Sequence, residues 1–275
     1  MPMPVIAPPP PRQTFRFALP PSLGADAASD RAKKLERHLD VSLGRPAEVV
    51  VATSYEVLAK DLLGGKVDAA WAPPFVCARV EAMGVRVLVR GVRNGASQYR
   101  AALVARADSK VTLEKLAGLT AVWTDRDSVA GYLLAVAFLR SRGLDPAKVF
   151  FAQQFAGSYR AALDTLLAGK ADVSSVFAQP ATPSAPNASG LDQLVPDRKG
   201  ELAVVAFTDL SPNDGVAVSM SASPVLVTAL EKTLLSLHQT PEGAALLGET
   251  FSAERFEPAP RMGYRALYRV ALASL

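Results

Sequence analysis

Two short segments carry residue types from which a small-molecule site could be built. Ser54-Tyr55 and Ser158-Tyr159 each open a run with helical spacing of apolar residues. The first run ends Leu62-Leu63-Gly64-Gly65-Lys66 and continues through Asp68 into a β-type run. The second ends Leu166-Leu167-Ala168-Gly169-Lys170 and continues through Asp172 into another. At one fixed offset, without a gap, the Ser, Tyr, Leu, Leu, Gly, Lys and Asp coincide. A helix-to-strand turn with Gly just past the helix end accounts for the Gly-Lys-x-Asp half, but not for Ser-Tyr at both helix starts. The simplest physical account is two similar lobes, each aiming a helix N-terminus at a shared cleft. A helix start offers N–H donors without intrahelical partners and a partial positive charge. A Ser hydroxyl and a Tyr phenol beside it suit a phosphate, phosphonate, sulfonate or carboxylate head carrying some organic body.

Other chemistries find little support. His38 and His238 have no Cys or His partner at metal spacing, which argues against a zinc or iron site, and no cofactor is expected. Cys77 is the only cysteine, so no intrachain disulfide can form, and it reads as a small buried hydrophobe. Gly64-Gly65-Lys66 lacks the spacing of a nucleotide-phosphate loop, and Gly-x-Ser-x-Gly is absent. Asp127 beside Ser128 has no base partner. The acids available for proton transfer, Asp125, Asp127, Asp172 and Asp214, are not paired by spacing. No catalytic residue is assigned.

The elements that must position these groups alternate along the chain. β-type runs at 15–20, 48–52, 68–71, 85–90 and 99–106 are separated by helical patterns at 27–43, 55–63 and 76–83. The cycle resumes with a short helix at 113–116, a strand at 120–123, a helix at 132–142, a strand at 149–152, a helix at 159–167 and a strand at 172–177. A loop rich in Pro, Ser, Ala and Asn spans 179–190. Strands at 202–207 and 216–219 and helices near 224–239, 241–247 and 264–273 complete the chain. Such alternation predicts an α/β fold with parallel or mixed sheets covered by helices. Trp71 ends a strand just before Pro73-Pro74, where an aromatic wall of a crevice is expected.

Of 275 residues, 49% are hydrophobic and 20% charged, the balance of a globular chain with a sizeable core. The net charge is +4, and its densest basic cluster (Arg31, Lys33, Lys34, Arg37) reads as a solvated helix face, so nucleic acid is not an expected partner. No run approaches the length of a membrane span. Residues 1–12 are Pro-rich, hence extended and disordered by expectation, and lack the features of a secretory signal. That predicts a cytoplasmic protein if this N-terminus is native, and a periplasmic one if a leader has been removed.

With these residues in view, the chain resembles the phosphate, phosphite and phosphonate substrate-binding proteins of ABC transporters, in the type 2 periplasmic-binding superfamily. The resemblance rests on Thr53-Ser54-Tyr55, Val67-Asp68-Ala69-Ala70-Trp71-Ala72-Pro73-Pro74, Gly95-Ala96-Ser97-Gln98-Tyr99-Arg100-Ala101, Asp127-Ser128-Val129-Ala130-Gly131-Tyr132-Leu133 and Phe155-Ala156-Gly157-Ser158-Tyr159, in that order. It implies two α/β lobes joined by a two-strand hinge, the first about 13–96 plus 210–275, the second about 97–209. It also implies that Tyr55, Tyr99, Ser128 and Ser158 fall at the ligand, with Gly131 allowing close backbone approach and Tyr159 standing where phosphonate-binding members carry His. The expected activity is binding of a small anionic ligand by hinge closure, with an ABC permease or a regulatory protein reading the closed state. Two alternatives remain at this stage. One is a cytoplasmic enzyme on the same fold, like menaquinone-pathway enzymes or pyrimidine synthases. The other is a degenerate pair of lobes serving as a scaffold for protein interaction.

Overall fold

The computed structural model describes residues 14–21, 25–126, 128–181, 189–261 and 263–264. The first part of the chain forms β1 (Phe15–Leu19), α1 (Ala25–Leu43), β2 (Ala47–Val51), α2 (Tyr55–Leu63), β3 (Ala69–Ala72), α3 (Pro74–Ala82) and β4 (Arg86–Val92). The chain then crosses into β5 (Gln98–Arg106), β6 (Thr120–Trp123), α4 (Leu134–Ser141), α5 (Pro146–Val149), β7 (Ala152–Phe155), α6 (Tyr159–Leu167), β8 (Ser174–Ala178), α7 (Leu191–Leu194) and β9 (Leu202–Phe207). It returns through β10 (Ser211–Pro212) to β11 (Gly215–Val218), α8 (Pro224–Ser236), α9 (Pro241–Leu246) and β12 (Arg255–Pro258).

Sheet order divides these elements into two lobes. One six-stranded sheet runs β12-β4-β11-β3-β1-β2. Its β1, β2 and β3 are parallel, while β11 enters antiparallel between β3 and β4. In the other lobe the long β5 pairs antiparallel with β8, β9 and β10. Parallel β6 and β7 join that sheet through a bridge between Ala121 and Val173. The six-stranded sheet is filled on one side by Phe15, Phe17, Leu35, Leu39, Trp71, Phe251 and Phe256, against α1 and α8. The other lobe packs Trp123, Phe138, Leu139 and Phe150 on one side of its sheets, and Leu163, Leu166 and Val176 on the other.

The internal echo extends well beyond the helix read from sequence. β1 meets β2 with Phe17 opposite Val49 and Leu19 opposite Val51. β6 meets β7 with Ala121 opposite Gln153 and Trp123 opposite Phe155, so every position is displaced by 104. The pairing of Phe17 with Ala69 returns as Ala121 with Val173. The echoed aspartates act alike. The Arg16 N–H donates to Asp68 Oδ2 at 2.8 Å, and the Thr120 N–H donates to Asp172 Oδ2 at 2.9 Å. Each carboxylate thus grips the opening of the first strand of its repeat, β1 or β6. Ser54 and Ser158 cap their helices by accepting from the N–H groups of Val57 and Ala161. The Gly at the end of each helix takes a left-handed φ, +63° at Gly65 and +70° at Gly169.

Some boundaries differ from expectation. The strand expected at 149–152 lies at Ala152–Phe155. Asp145 accepts from the Ala147 N–H and Pro146 opens a helical turn, which absorbs Val149. An apolar run of this length cannot by itself tell strand from helix. The helix expected over 132–142 begins as a wide π-type turn, Val129–Leu133, before α4. β12 was not anticipated, because Arg255-Phe256-Glu257-Pro258 is a short edge strand with a single buried apolar side chain. The Pro-rich residues 1–12, Asp127, most of the 179–190 loop and the last expected helix lie outside the described residues.

Candidate ligand-binding cleft

A cleft of about 440 Å³ opens where the two lobes meet the chain crossings. From the first lobe it receives Tyr55, at the start of α2, and Pro73-Pro74, at the start of α3. From the second it receives Ser128, Val129 and Ala130 at the turn before α4, Tyr159 at the start of α6, and Phe177, Ala178 and Gln179 at the end of β8. The crossings supply Arg93, Asn94, Tyr99, Asn213 and Asp214. Tyr55, Pro73, Ser128 and Tyr159 follow the C-terminal ends of the parallel strands β2, β3, β6 and β7, where crevices form in open α/β sheets.

The hydroxyl groups concentrate on the second lobe's wall. Ser128 Oγ accepts the Gly131 N–H at 3.1 Å and lies 3.4 Å from Tyr159 Oη. Val129 and Ala130 belong to that same first turn, whose N–H groups precede the first intrahelical bond. Burial pushes the Tyr159 phenol up, opposed by its bond with Ser128 and a contact with the Gly131 N–H, while Asp214 raises it further. Burial likewise drives Tyr99 well up, with Asp214 and Tyr159 adding to the shift, and with Arg93 and a hydrogen bond from Ser211 opposing it. Both phenols therefore remain protonated donors through the neutral range.

The charged groups come from the crossings. Arg93 forms an ion pair with Asp214, and also donates to Ser252 O at 2.9 Å and Phe251 O at 3.2 Å. Asn213 ties the crossings together: its side chain donates to Gly91 O and Ala96 O, its N–H to Ser97 O, and its carbonyl accepts the Tyr264 hydroxyl at 2.6 Å.

Tyr55, Tyr99, Ser128 and Tyr159 thus meet at one cleft. Trp71 and Ser158 stand elsewhere, and Gly131 reaches the cleft wall only through its N–H, which meets Ser128 Oγ and the Tyr159 phenol. Trp71 is buried edge-on against Phe251 and Phe256 in the first lobe's core, and borders a separate hollow of about 220 Å³ behind the Arg93–Asp214 pair. Ser158 is spent as a helix cap at an exposed site. Gly131 is close-packed inside its lobe: a Cβ there would lie 2.4 Å from Thr124 Oγ1. Its small size serves the packing of the turn on β6. Sequence reasoning missed Arg93, Asn94, Asn213, Phe177, Gln179 and Gln193, and considered Asp214 only as a free acid. Their signal was weak: Arg93, Asn94, Asn213 and Asp214 come together only where two distant crossings meet, and Phe177, Gln179 and Gln193 reach the cleft from the end of β8 and from α7.

The profile of the family described as ABC transporter, phosphonate, periplasmic substrate-binding protein matches residues 17–264. The chain belongs to this phosphonate-binding family. Among solved structures, the fold is similar to the Xanthomonas citri protein XAC2383 bound to ATP, with a TM-score of 0.80 and 18% identity over 95% of this chain and 98% of that one. PhnD1 from Prochlorococcus marinus, in complex with methylphosphonate, gives a TM-score of 0.70 and 15% identity over 95% and 98% of the two chains. A binding-protein component of an ABC phosphonate transporter from Pseudomonas aeruginosa gives 0.68 and 18% over 96% and 87%. The phosphonate-binding family is one of substrate-binding proteins, and its type 2 periplasmic-binding architecture is the one seen here. Among the described residues, no helix is long and apolar enough to cross a membrane.

Proposed function

We propose that this chain binds a small anionic ligand, of phosphonate, phosphate, sulfonate or carboxylate type, in the interlobe cleft and closes on it as a transporter-type or sensing protein. The head group sits against the turn of Ser128, Val129 and Ala130, beside Tyr159. The observation that carries the reading is the contact of Tyr159 Oη with Ser128 Oγ at 3.4 Å on the cleft wall, with Tyr55, the other half of the echo, lining the same space. A helix start with two hydroxyls supplies donors to an oxyanion without needing a free cation. Arg93 already serves Asp214, so the negative head is expected against the hydroxyls and the helix start rather than on that pair. The methylphosphonate and ATP seen with two structural relatives support an oxyanion in such a cleft. An ABC permease or a regulatory protein then reads the closed form. The family is one of periplasmic substrate-binding proteins, which supports work in the periplasm.

The test is a thermal-shift panel of methylphosphonate, inorganic phosphate, an alkylsulfonate, a carboxylate and ATP, followed by calorimetry on any hit. Tyr159→Phe is expected to weaken binding about tenfold or more, the worth of one charge-assisted hydrogen bond, with the melting temperature of the free protein little changed. Tyr55→Phe is expected to act in the same direction. Unchanged affinity in both variants, or no shift with any oxyanion, refutes the reading.

A further inference from the structure

The interlobe cleft carries no net charge on its wall. Among the described residues its lining holds one cation and one anion, Arg93 and Asp214, and these form an ion pair. The rest of the polar lining is neutral: the phenols of Tyr55, Tyr99 and Tyr159, the Ser128 hydroxyl, and the carboxamides of Asn and Gln residues. The arginines next to these groups in sequence are engaged with other partners. Arg160, after Tyr159, bonds Asp164 and Asp197. Arg100, after Tyr99, lies over the Phe207 ring and donates to Gln179 O. Arg126, two residues before Ser128, lies over the Phe155 ring. The sequence from 180 to 190, which follows Gln179 of the lining, adds no charged residue, and the other neighbours before Ser128, Asp125 and Asp127, are acids.

Neutral donors at a helix start can offset the desolvation of one negative charge, because each N–H or O–H bond to an anion is charge-assisted. A second charge on the same head raises the desolvation cost steeply, and it needs a cation to offset it. Here the one lining cation is already taken by Asp214. Asp214 also acts on the wall itself. Its charge pushes the Tyr99 and Tyr159 phenols up, with Arg93 opposing it at Tyr99. A titrating oxyanion beside those phenols feels the same repulsion, which favours its protonated form. The proton so retained makes a P–OH donor, for which the carboxamide oxygens and Asp214 are acceptors on the lining.

Resting on the reading of this cleft as an oxyanion site, we propose that it selects its ligand by charge state. It takes a head with one negative charge, a sulfonate, a carboxylate or the monoanion of a phosphonate or phosphate, and discriminates against the dianion.

The experiment is calorimetry of methylphosphonate and of methanesulfonate with the full chain, from about pH 6 to about pH 9. That range contains the second ionisation of an alkylphosphonate and leaves both raised phenols protonated. Methanesulfonate carries one charge throughout, so it reports any titration of the protein. We expect its affinity to stay level, while that of methylphosphonate falls about tenfold for each pH unit above the ligand's second pKa. Repeating the alkaline measurement in buffers of different ionisation enthalpy should show uptake of about one proton per methylphosphonate bound, and none with methanesulfonate. Asp214→Asn removes the repelling charge and releases Arg93 from its carboxylate. It is expected to raise methylphosphonate affinity relative to methanesulfonate about tenfold or more at the alkaline end. Methylphosphonate affinity that stays level or rises with pH, or binding without proton uptake, overturns charge selection and leaves oxyanion binding standing. A folded Asn variant with an unchanged ratio of affinities overturns the part assigned to Asp214. Binding of neither probe at any pH overturns both the site reading and this inference. The pH series uses the unaltered chain, so it decides even if the variant folds poorly.

Discussion

The residues that gather at the cleft are mostly neutral donors: three phenols, Tyr55, Tyr99 and Tyr159, and a serine beside a helix start, with the Arg93–Asp214 ion pair at the crossings. Their titration gives a direct test of burial. Tyr99 and Tyr159 are both raised above the ordinary 10.0, chiefly by burial. The folded chain therefore holds these protons more tightly than the unfolded chain. Their contribution to stability is fully present below pH 10 and is lost as pH rises through the folded-state values. Urea midpoints should be flat from neutral pH to about 9 and fall beyond about 10. Tyr99→Phe should remove part of that fall; an alkaline slope identical to the unaltered chain's would mean that the Tyr99 phenol is solvated in solution. Residue identity alone did not separate Tyr159, which faces the cleft, from Ser158 beside it, which caps a helix.

At the scale of elements, the molecule repeats one β-α-β-α-β unit with constant register. The repeat explains why Asp68 and Asp172 recur: each carboxylate takes an N–H at the opening of the first strand of its repeat. Asp68→Ala and Asp172→Ala should each cost about 1–3 kcal/mol, since each leaves a main-chain N–H without its partner. The sites belong to different lobes, so the double variant is expected to be additive within about 0.5 kcal/mol. Chemical denaturation of the two single variants and the double checks this, and a cost confined to one lobe would show that the echo is not equivalent in energy. The lobes diverge where the repeat meets its surroundings: α1 closes the β2 edge with Asp40 and Glu36, whereas the positions 104 residues on are Arg140 and Leu144, which carry no acceptor.

For the whole molecule, function depends on how the lobes move about the two crossings. Asn213 and the Arg93–Asp214 pair brace those crossings to each other and to the turn before β12. A ligand touching Tyr55 on one wall and Ser128 and Tyr159 on the other can bias the equilibrium toward closure only through contacts made to both walls. Small-angle scattering should therefore show a smaller radius of gyration with a saturating ligand than without. The Tyr55→Phe variant, at the same saturation, should close less completely. No change of dimension on binding would mean that the lobes are already locked together.

Much of the architecture was legible in the sequence, because its causes are local. Hydrophobic period and Gly-ended helices marked α2, α6 and β6 at the bounds observed, and the Ser-Tyr echo exposed the duplication. Short-range signals failed where two structures satisfy the same pattern. The apolar run at 149–152 was read as strand, but Asp145 and Pro146 wound its start into a turn. The site was legible only in part. The echo pointed to the helix starts of Tyr55 and Tyr159, whereas Tyr99 and Ser128 entered only through the family resemblance; all four line the cleft. Trp71 was misplaced because the side a strand residue faces depends on what packs on each face, and Phe251 and Phe256, some 180 residues later, claim its ring. Arg93, Asn213 and Asp214 carry no local signature at all. They become neighbours only when β4, β5 and β11 meet, a contact between distant stretches of chain that tertiary packing alone creates.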